Sequence, residues 1–131
     1  MQTKIIDYHD GDTQLEGYVA WDDSIPGPRP AILVAHDWTG RRDFATRKAE
    51  EMASLGYVGF ALDMYGKGVF GADGDVEKNS ALMNPLAADR SALRARMAAA
   101  LVAVRAIDVV DRSKVSAMGY CFGGMCVLEL A

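Results

Sequence analysis

A chain of 131 residues, half of them hydrophobic and 24% charged, is the length of one soluble domain with a modest core. Its net charge of −4 and isoelectric point near 5.0 leave no basic footprint for nucleic acid. No apolar run approaches the ~20 residues that cross a bilayer, and Asp7 and His9-Asp10 interrupt any signal-peptide core near the start, so a cytoplasmic protein without nucleic-acid or membrane partners is expected.

Residues 4–8 read as a short strand and Asp10-Gly11-Asp12 as a turn. Leu15, Gly17, Val19 and Trp21 then alternate with Gln14, Glu16, Tyr18 and Ala20, the period of a strand with one buried face, so a leading hairpin is expected. Residues 22–30, with three prolines and a glycine, read as a surface loop. The run Ala31-Ile32-Leu33-Val34-Ala35 is apolar on both faces, as in a central strand covered by helices. From about residue 43 to residue 55, Phe44, Ala45, the stem of Lys48, Ala49, Met52 and Ala53 share a helical face, and Gly56 suits the end of that helix. Residues 57–62 form a second buried strand ending at Asp63.

Residues 66–79 hold four glycines and mixed charge, which suggests a long surface excursion. Asn84-Pro85 reads as an N-cap with proline at the first helical position. A long helix is expected from there to about residue 107, with Leu86, Leu93, Met97, Leu101 and Val104 inward. Asp111-Arg112-Ser113 is a turn, and residues 115–118 form a last short strand before the start of another helix. Strands alternating with helices predict an α/β fold: a mostly parallel sheet with helices on both faces.

Two cysteines, Cys121 and Cys126, lie five apart, which is neither a CxxC site nor a disulfide framework. With His9 and His36 as the only histidines, a His/Cys metal site has too few candidates, and neither a metal nor a cofactor is expected. Cys126 fits the usual fate of a free cysteine as a small buried hydrophobe. Cys121 does not. It sits in Gly119-Tyr120-Cys121-Phe122-Gly123-Gly124, directly after the strand 115–118 and ahead of helix-compatible residues. That is the strand–turn–helix setting of a nucleophile elbow. The sharp turn strains the backbone at the nucleophile, so the residues two before and two after it must be small, and Gly119 and Gly123 stand there. The helix start brings free N–H groups to the same point, with the Phe122 amide as one oxyanion donor.

This elbow, with Cys in place of Ser inside G-Y-C-x-G-G, resembles that of the dienelactone hydrolases, a family of α/β-hydrolases. The resemblance covers essentially the whole chain. It extends to Val34-Ala35-His36-Asp37-Trp38-Thr39-Gly40, to Leu55-Gly56-Tyr57 and to Leu62-Asp63-Met64-Tyr65-Gly66. It implies Cys121 as the catalytic nucleophile and the Trp38 backbone N–H as the second oxyanion donor. It also implies a thiol-activating carboxylate at Asp37, where the family has a longer Glu. His36 has no catalytic counterpart in the family and is expected to be a hydrogen-bonded residue at a strand end. Asp63 is expected to be structural. The family's carboxylate-binding Arg has no clean match in Arg90, Arg94 or Arg96.

The triad of such an enzyme needs an acid and a His after the nucleophile. None of the ten residues after Cys121 is Asp or His. The expectation is therefore that residues 1–131 are the N-terminal part of a single α/β-hydrolase domain. Proteolysis, a split gene or truncation would produce it, and a complementing C-terminal chain or a homo-oligomer would complete it. Alone it would turn over poorly. The expected function is that of a hydrolase of small carboxylic esters or lactones acting through a thioester on Cys121. The alternative is a non-catalytic α/β module acting by association with a second chain. A redox pair fits less well, since positions five apart on a helix point to different faces. The turn at His36–Gly40 lacks the glycine pattern of a dinucleotide site.

Overall fold

The computed structural model describes residues 1–131. The hairpin comes first, with β1 (Gln2–Asp10) and β2 (Thr13–Trp21) paired antiparallel through their whole length. β3 (Arg29–Ala35), β4 (Val58–Ala61) and β5 (Val110–Gly119) complete one sheet in the order β1-β2-β4-β3-β5. β3 runs parallel to both β4 and β5, while β2 is antiparallel to its neighbours β1 and β4. Four of the five strands therefore point the same way in a mixed sheet, whose β4-β3-β5 part is parallel as expected and whose β1-β2-β4 part is antiparallel.

Alternation along the central strands splits the core between two faces. Val34 and Ala61 meet Ala45 and Ala49 of helix α1 (Asp43–Ser54) on one side. Leu33 and Phe60 face the other side, where helices α2 (Val76–Ala88), α3 (Arg90–Arg105) and α4 (Phe122–Leu130) supply Leu86, Leu93, Met97, Phe122 and Cys126. Leu15, Leu33, Phe60, Leu62, Met64, Leu93 and Met97 are fully buried. Each contributes roughly 1.5–3 kcal/mol relative to an exposed side chain. The small residues Ala45, Ala49 and Ala53 let α1 lie close on the sheet, so close that a Cβ on Gly59 would run into the Ala49 backbone.

Three expectations change. The single long helix from residue 84 is two helices. Pro85 lies inside α2 rather than opening a helix, and α2 ends three residues later. Pro85 gives up one N–H to the carbonyl four residues back, and the helix tolerates this within its last turn. Asp89, not Asn84, caps α3 by accepting from the Ala92 N–H at 3.1 Å. The surface excursion is shorter than 66–79, because α2 begins at Val76 with Asp75 accepting from the Lys78 N–H. The excursion is also anchored. The fully buried Asn79 accepts from the Ala72 N–H and donates to its carbonyl, and the Gly71 N–H donates to the Thr39 carbonyl.

The turn Asp111-Arg112-Ser113 forms, with Asp111 accepting from the Ser113 N–H and hydroxyl, but it sits inside β5. Between the pairs Arg29↔Val110 and Ala31↔Val115, β5 advances five positions against two on β3. The turn is thus a bulge in an edge strand. β5 pairs only with β3, and apolar Val115, Ala117, Leu101, Val127 and Leu130 line an open cleft beside it.

Candidate active site

β5 leads straight into the tight turn that opens α4, and Cys121 sits at its apex. Its backbone has φ 54° and ψ −114°, the single positive φ outside glycine in the chain. Such a conformation costs about 1–3 kcal/mol and persists only where surrounding packing enforces it. Gly119 and Gly123 do so. A Cβ on Gly119 would collide with the Gly123 backbone, and one on Gly123 with the Ala35 and His36 carbonyls. The turn therefore presses against the end of β3 and leaves the Cys121 thiol exposed. At the start of α4, Gly123 N–H donates to the Tyr120 carbonyl, and Gly124 and Met125 N–H donate to that of Cys121, whereas Phe122 N–H has no protein acceptor.

The facing wall is the turn after β3. Asp37 accepts through one carboxylate oxygen from the Thr39 N–H at 2.9 Å and from its hydroxyl at 2.6 Å. The Asp37 carbonyl accepts from the Gly40 N–H at 3.2 Å. Trp38 N–H is among the amides of this turn that have no protein acceptor. Asp37, Trp38, Cys121 and Phe122, with Met83 of α2, line one open cleft of about 380 Å³.

The four residues singled out in the sequence thus come together. Asp37 shares the cleft with Cys121, but its hydrogen bonds go to Thr39 and none joins it to the thiol. His36 is buried at the end of β3, accepting from the Met64 N–H at Nε2 and bonding the Asp37 carbonyl through Nδ1. His9 lies exposed on β1. Asp63 accepts from the Glu16, Tyr65 and Gly66 amides, a wholly structural set of partners. Arg90 and Arg94 pair with Glu129, and Arg96 bonds Asp10 and the Met64 carbonyl, so none of the three reaches the cleft.

Two contributors were not foreseen. Met83 reaches the cleft because α2 begins earlier than the glycine-rich stretch suggested. Tyr65 stacks on Phe122 at 5.9 Å between ring centroids and donates its hydroxyl to the Trp38 carbonyl at 2.8 Å. The Leu62–Gly66 segment carried Tyr65 in plain view, but its partners are distant in sequence. On the outer side of the elbow, Tyr120 meets Phe44 edge-on at 5.0 Å, and the Lys48 ammonium lies over both rings.

Burial sets the titrations around the site. It pushes the Cys126 thiol up to about 12 and raises the Tyr65 hydroxyl well above the ordinary tyrosine range. It also pulls His36 below the ordinary histidine value, against the opposing pull of its bond to the Asp37 carbonyl. No group of three or more His, Cys, Asp or Glu side chains is placed to hold a metal ion.

A strained cysteine turn between a parallel strand and a helix, facing a free amide after a neighbouring strand, matches the site architecture of the α/β-hydrolase fold. The chain belongs to the dienelactone hydrolase family, whose model matches residues 15–131. Among solved structures it is 38% identical to the protein m3DLH, with a TM-score of 0.93. It is also 38% identical, with a TM-score of 0.94, to the dienelactone hydrolase-like promiscuous phosphotriesterase P91 from metagenomic libraries. In both cases 99% of this chain is covered and 53% of the other, so the chain spans about half the length of these structures. A shorter stretch, 44% identical over 39 residues, matches an uncharacterized protein of Caenorhabditis elegans, covering 30% of this chain and 25% of that one.

Proposed function

We propose that this chain carries the nucleophile half of an enzyme that cleaves carboxylic esters or lactones through a thioester on Cys121. The observation that carries the reading is the cleft itself. An exposed cysteine held at φ 54° opens onto the same space as Trp38 and Phe122, whose amides have no protein acceptor. Amides left free beside a nucleophile suit the oxygen of a tetrahedral intermediate, and one such donor is worth about 10²–10³ in rate.

In this reading the Cys121 sulfur, its proton released to solvent, attacks the carbonyl carbon. The C–S bond forms as the carbonyl oxygen takes up charge between the Trp38 and Phe122 N–H groups. Collapse breaks the C–O bond, the alkoxide is protonated by solvent, and a thioester remains for water to hydrolyse. Asp37, one of whose carboxylate oxygens has no protein donor, lies in the cleft to engage the thiol or the attacking water. No histidine of residues 1–131 reaches the cleft, so no imidazole of this chain takes the proton of that water. Acylation is therefore expected to outrun deacylation. The unpaired edge of β5, flanked by apolar side chains, is where we place a segment or second chain that supplies the acid and the base. The likeness to P91 favours phosphotriesters as a second electrophile.

The test is a stopped reaction with p-nitrophenyl acetate. A burst close to one p-nitrophenolate per chain, followed by slow turnover and absent in Cys121→Ser, is the expected result. Without a burst, the chain is an α/β module acting by association.

A further inference from the structure

The reaction just proposed makes no direct use of His36, the more buried of the two histidines, and that residue is hydrogen-bonded at both ring nitrogens. The Met64 backbone N–H can only donate, so Nε2, 3.0 Å away, must be the unprotonated acceptor. The ring proton is then on Nδ1, which donates to the Asp37 carbonyl at 2.6 Å. This fixes the tautomer by backbone chemistry alone.

The Asp37 carbonyl and the Trp38 N–H belong to one planar peptide unit. Holding the oxygen aims the N–H at the opposite end. Two donors hold it, His36 Nδ1 at 2.6 Å and the Gly40 N–H at 3.2 Å, and the shorter bond is the histidine's. Donation to a peptide oxygen also polarises that peptide and strengthens its N–H as a donor. The same ring packs against Tyr65 at 5.0 Å and Phe122 at 6.2 Å between centroids. Phe122 supplies the other free amide.

From these contacts we infer that His36 is a positioning residue for the oxyanion site: its Nδ1–H sets the peptide that presents the Trp38 N–H to the substrate oxygen. The inference rests on the thioester reading above. The charged groups near enough to act on the ring are Asp37, Asp63 and Arg41, and the rings packed against it are those of Tyr65 and Phe122. None of these charged side chains hydrogen-bonds the imidazole, so the bond to the Asp37 carbonyl is the one that matters.

Two reactions of the same thiol separate positioning from general damage. Acylation by p-nitrophenyl acetate passes through an oxyanion, whereas alkylation by iodoacetamide displaces iodide and needs none. His36→Gln retains an acceptor for the Met64 N–H and loses the donor to Asp37. It is expected to slow acylation of Cys121 by about tenfold, less than the 10²–10³ that loss of a whole donor costs, and to leave alkylation within about twofold. His36→Asn places an amide donor near the Nδ1 position and leaves Met64 unsatisfied. It is expected to be the less stable variant in urea and yet to acylate faster than His36→Gln. If acylation instead follows stability, or falls together with alkylation, His36 is a packing residue and the inference is overturned. If the unsubstituted chain acylates no faster than a free thiol of similar reactivity, the thioester reading itself fails, and that outcome is visible before any variant is made.

Discussion

Cys121 and Cys126 are five residues apart at the start of one helix, and they have opposite fates. Cys121 caps α4 with a strained backbone and an exposed sulfur; Cys126, one turn on, is buried against the core with its thiol pushed up to about 12. Neither difference comes from the side chain, which is identical. What separates them is that Gly119 and Gly123 let the turn press on the end of β3, so that the sulfur at its apex is lifted clear, while the ordinary helical geometry after it turns the next cysteine inward. A thiol becomes a candidate nucleophile here through backbone placement, and an inert one through burial.

The largest effect that would sharpen this contrast is alkylation selectivity. A thiol at about 12 leaves only about one thiolate in 10⁴–10⁵ at about pH 7.5. Native iodoacetamide labelling should therefore fall almost wholly on Cys121, disappear in Cys121→Ser and persist in Cys126→Ser. Labelling of Cys126 at a comparable rate in the folded chain would break the comparison.

Next in size is the packing that creates the elbow. Gly123→Ala places a methyl group against the Ala35 and His36 carbonyls. It should destabilise the chain by about 1–3 kcal/mol and slow Cys121 acylation, both readable from urea midpoints and burst rates. A variant of unchanged midpoint would show that the turn does not depend on this close approach.

The titrations give smaller, signed effects. Cys126 is held neutral in the folded state above its ordinary value of 9.0, so its contribution is complete below about 9 and is lost as pH rises toward about 12. His36 is shifted the other way. Its contribution is complete above the ordinary value of 6.5 and declines as pH falls below it, since the unfolded chain then binds a proton that the buried ring resists. Urea midpoints should fall on both sides of neutrality. Cys126→Ala should flatten the alkaline limb and His36→Gln the acid limb, each without moving the other.

The smallest effect belongs to the outer side of the elbow. Phe44→Ala removes the edge-on contact with Tyr120 at 5.0 Å, and should cost about 0.5–1.5 kcal/mol beyond the area lost. Alkylation of Cys121 should change little, because Gly119 and Gly123 rather than Tyr120 shape the turn.

How much of the molecule is readable from residue order depends on how local each cause is. The hairpin, the buried strands β3 and β4, helix α1 and the elbow are legible because alternation, apolar runs and the Gly-x-Cys-x-Gly spacing act within a few residues. Of the candidate site residues, Cys121 and Phe122 follow from that spacing and Trp38 and Asp37 from the family resemblance, and the four line one cleft. Pro85 misleads, because a proline tolerated one turn from a helix end looks the same in sequence as one that begins a helix. The glycine-rich stretch conceals Asn79, whose partner is the backbone of Ala72 rather than solvent. Tyr65 and His36 draw their importance from Trp38, Met64 and Phe122, contacts that only the folded sheet brings together.

Trapping the p-nitrophenyl acetate adduct and mapping it by peptide mass spectrometry tests the role of Cys121 most directly. A single thioester on Cys121 is expected, formed faster than on the unfolded chain at the same pH. An acyl group spread over both cysteines, or formed no faster than after unfolding, would contradict that role.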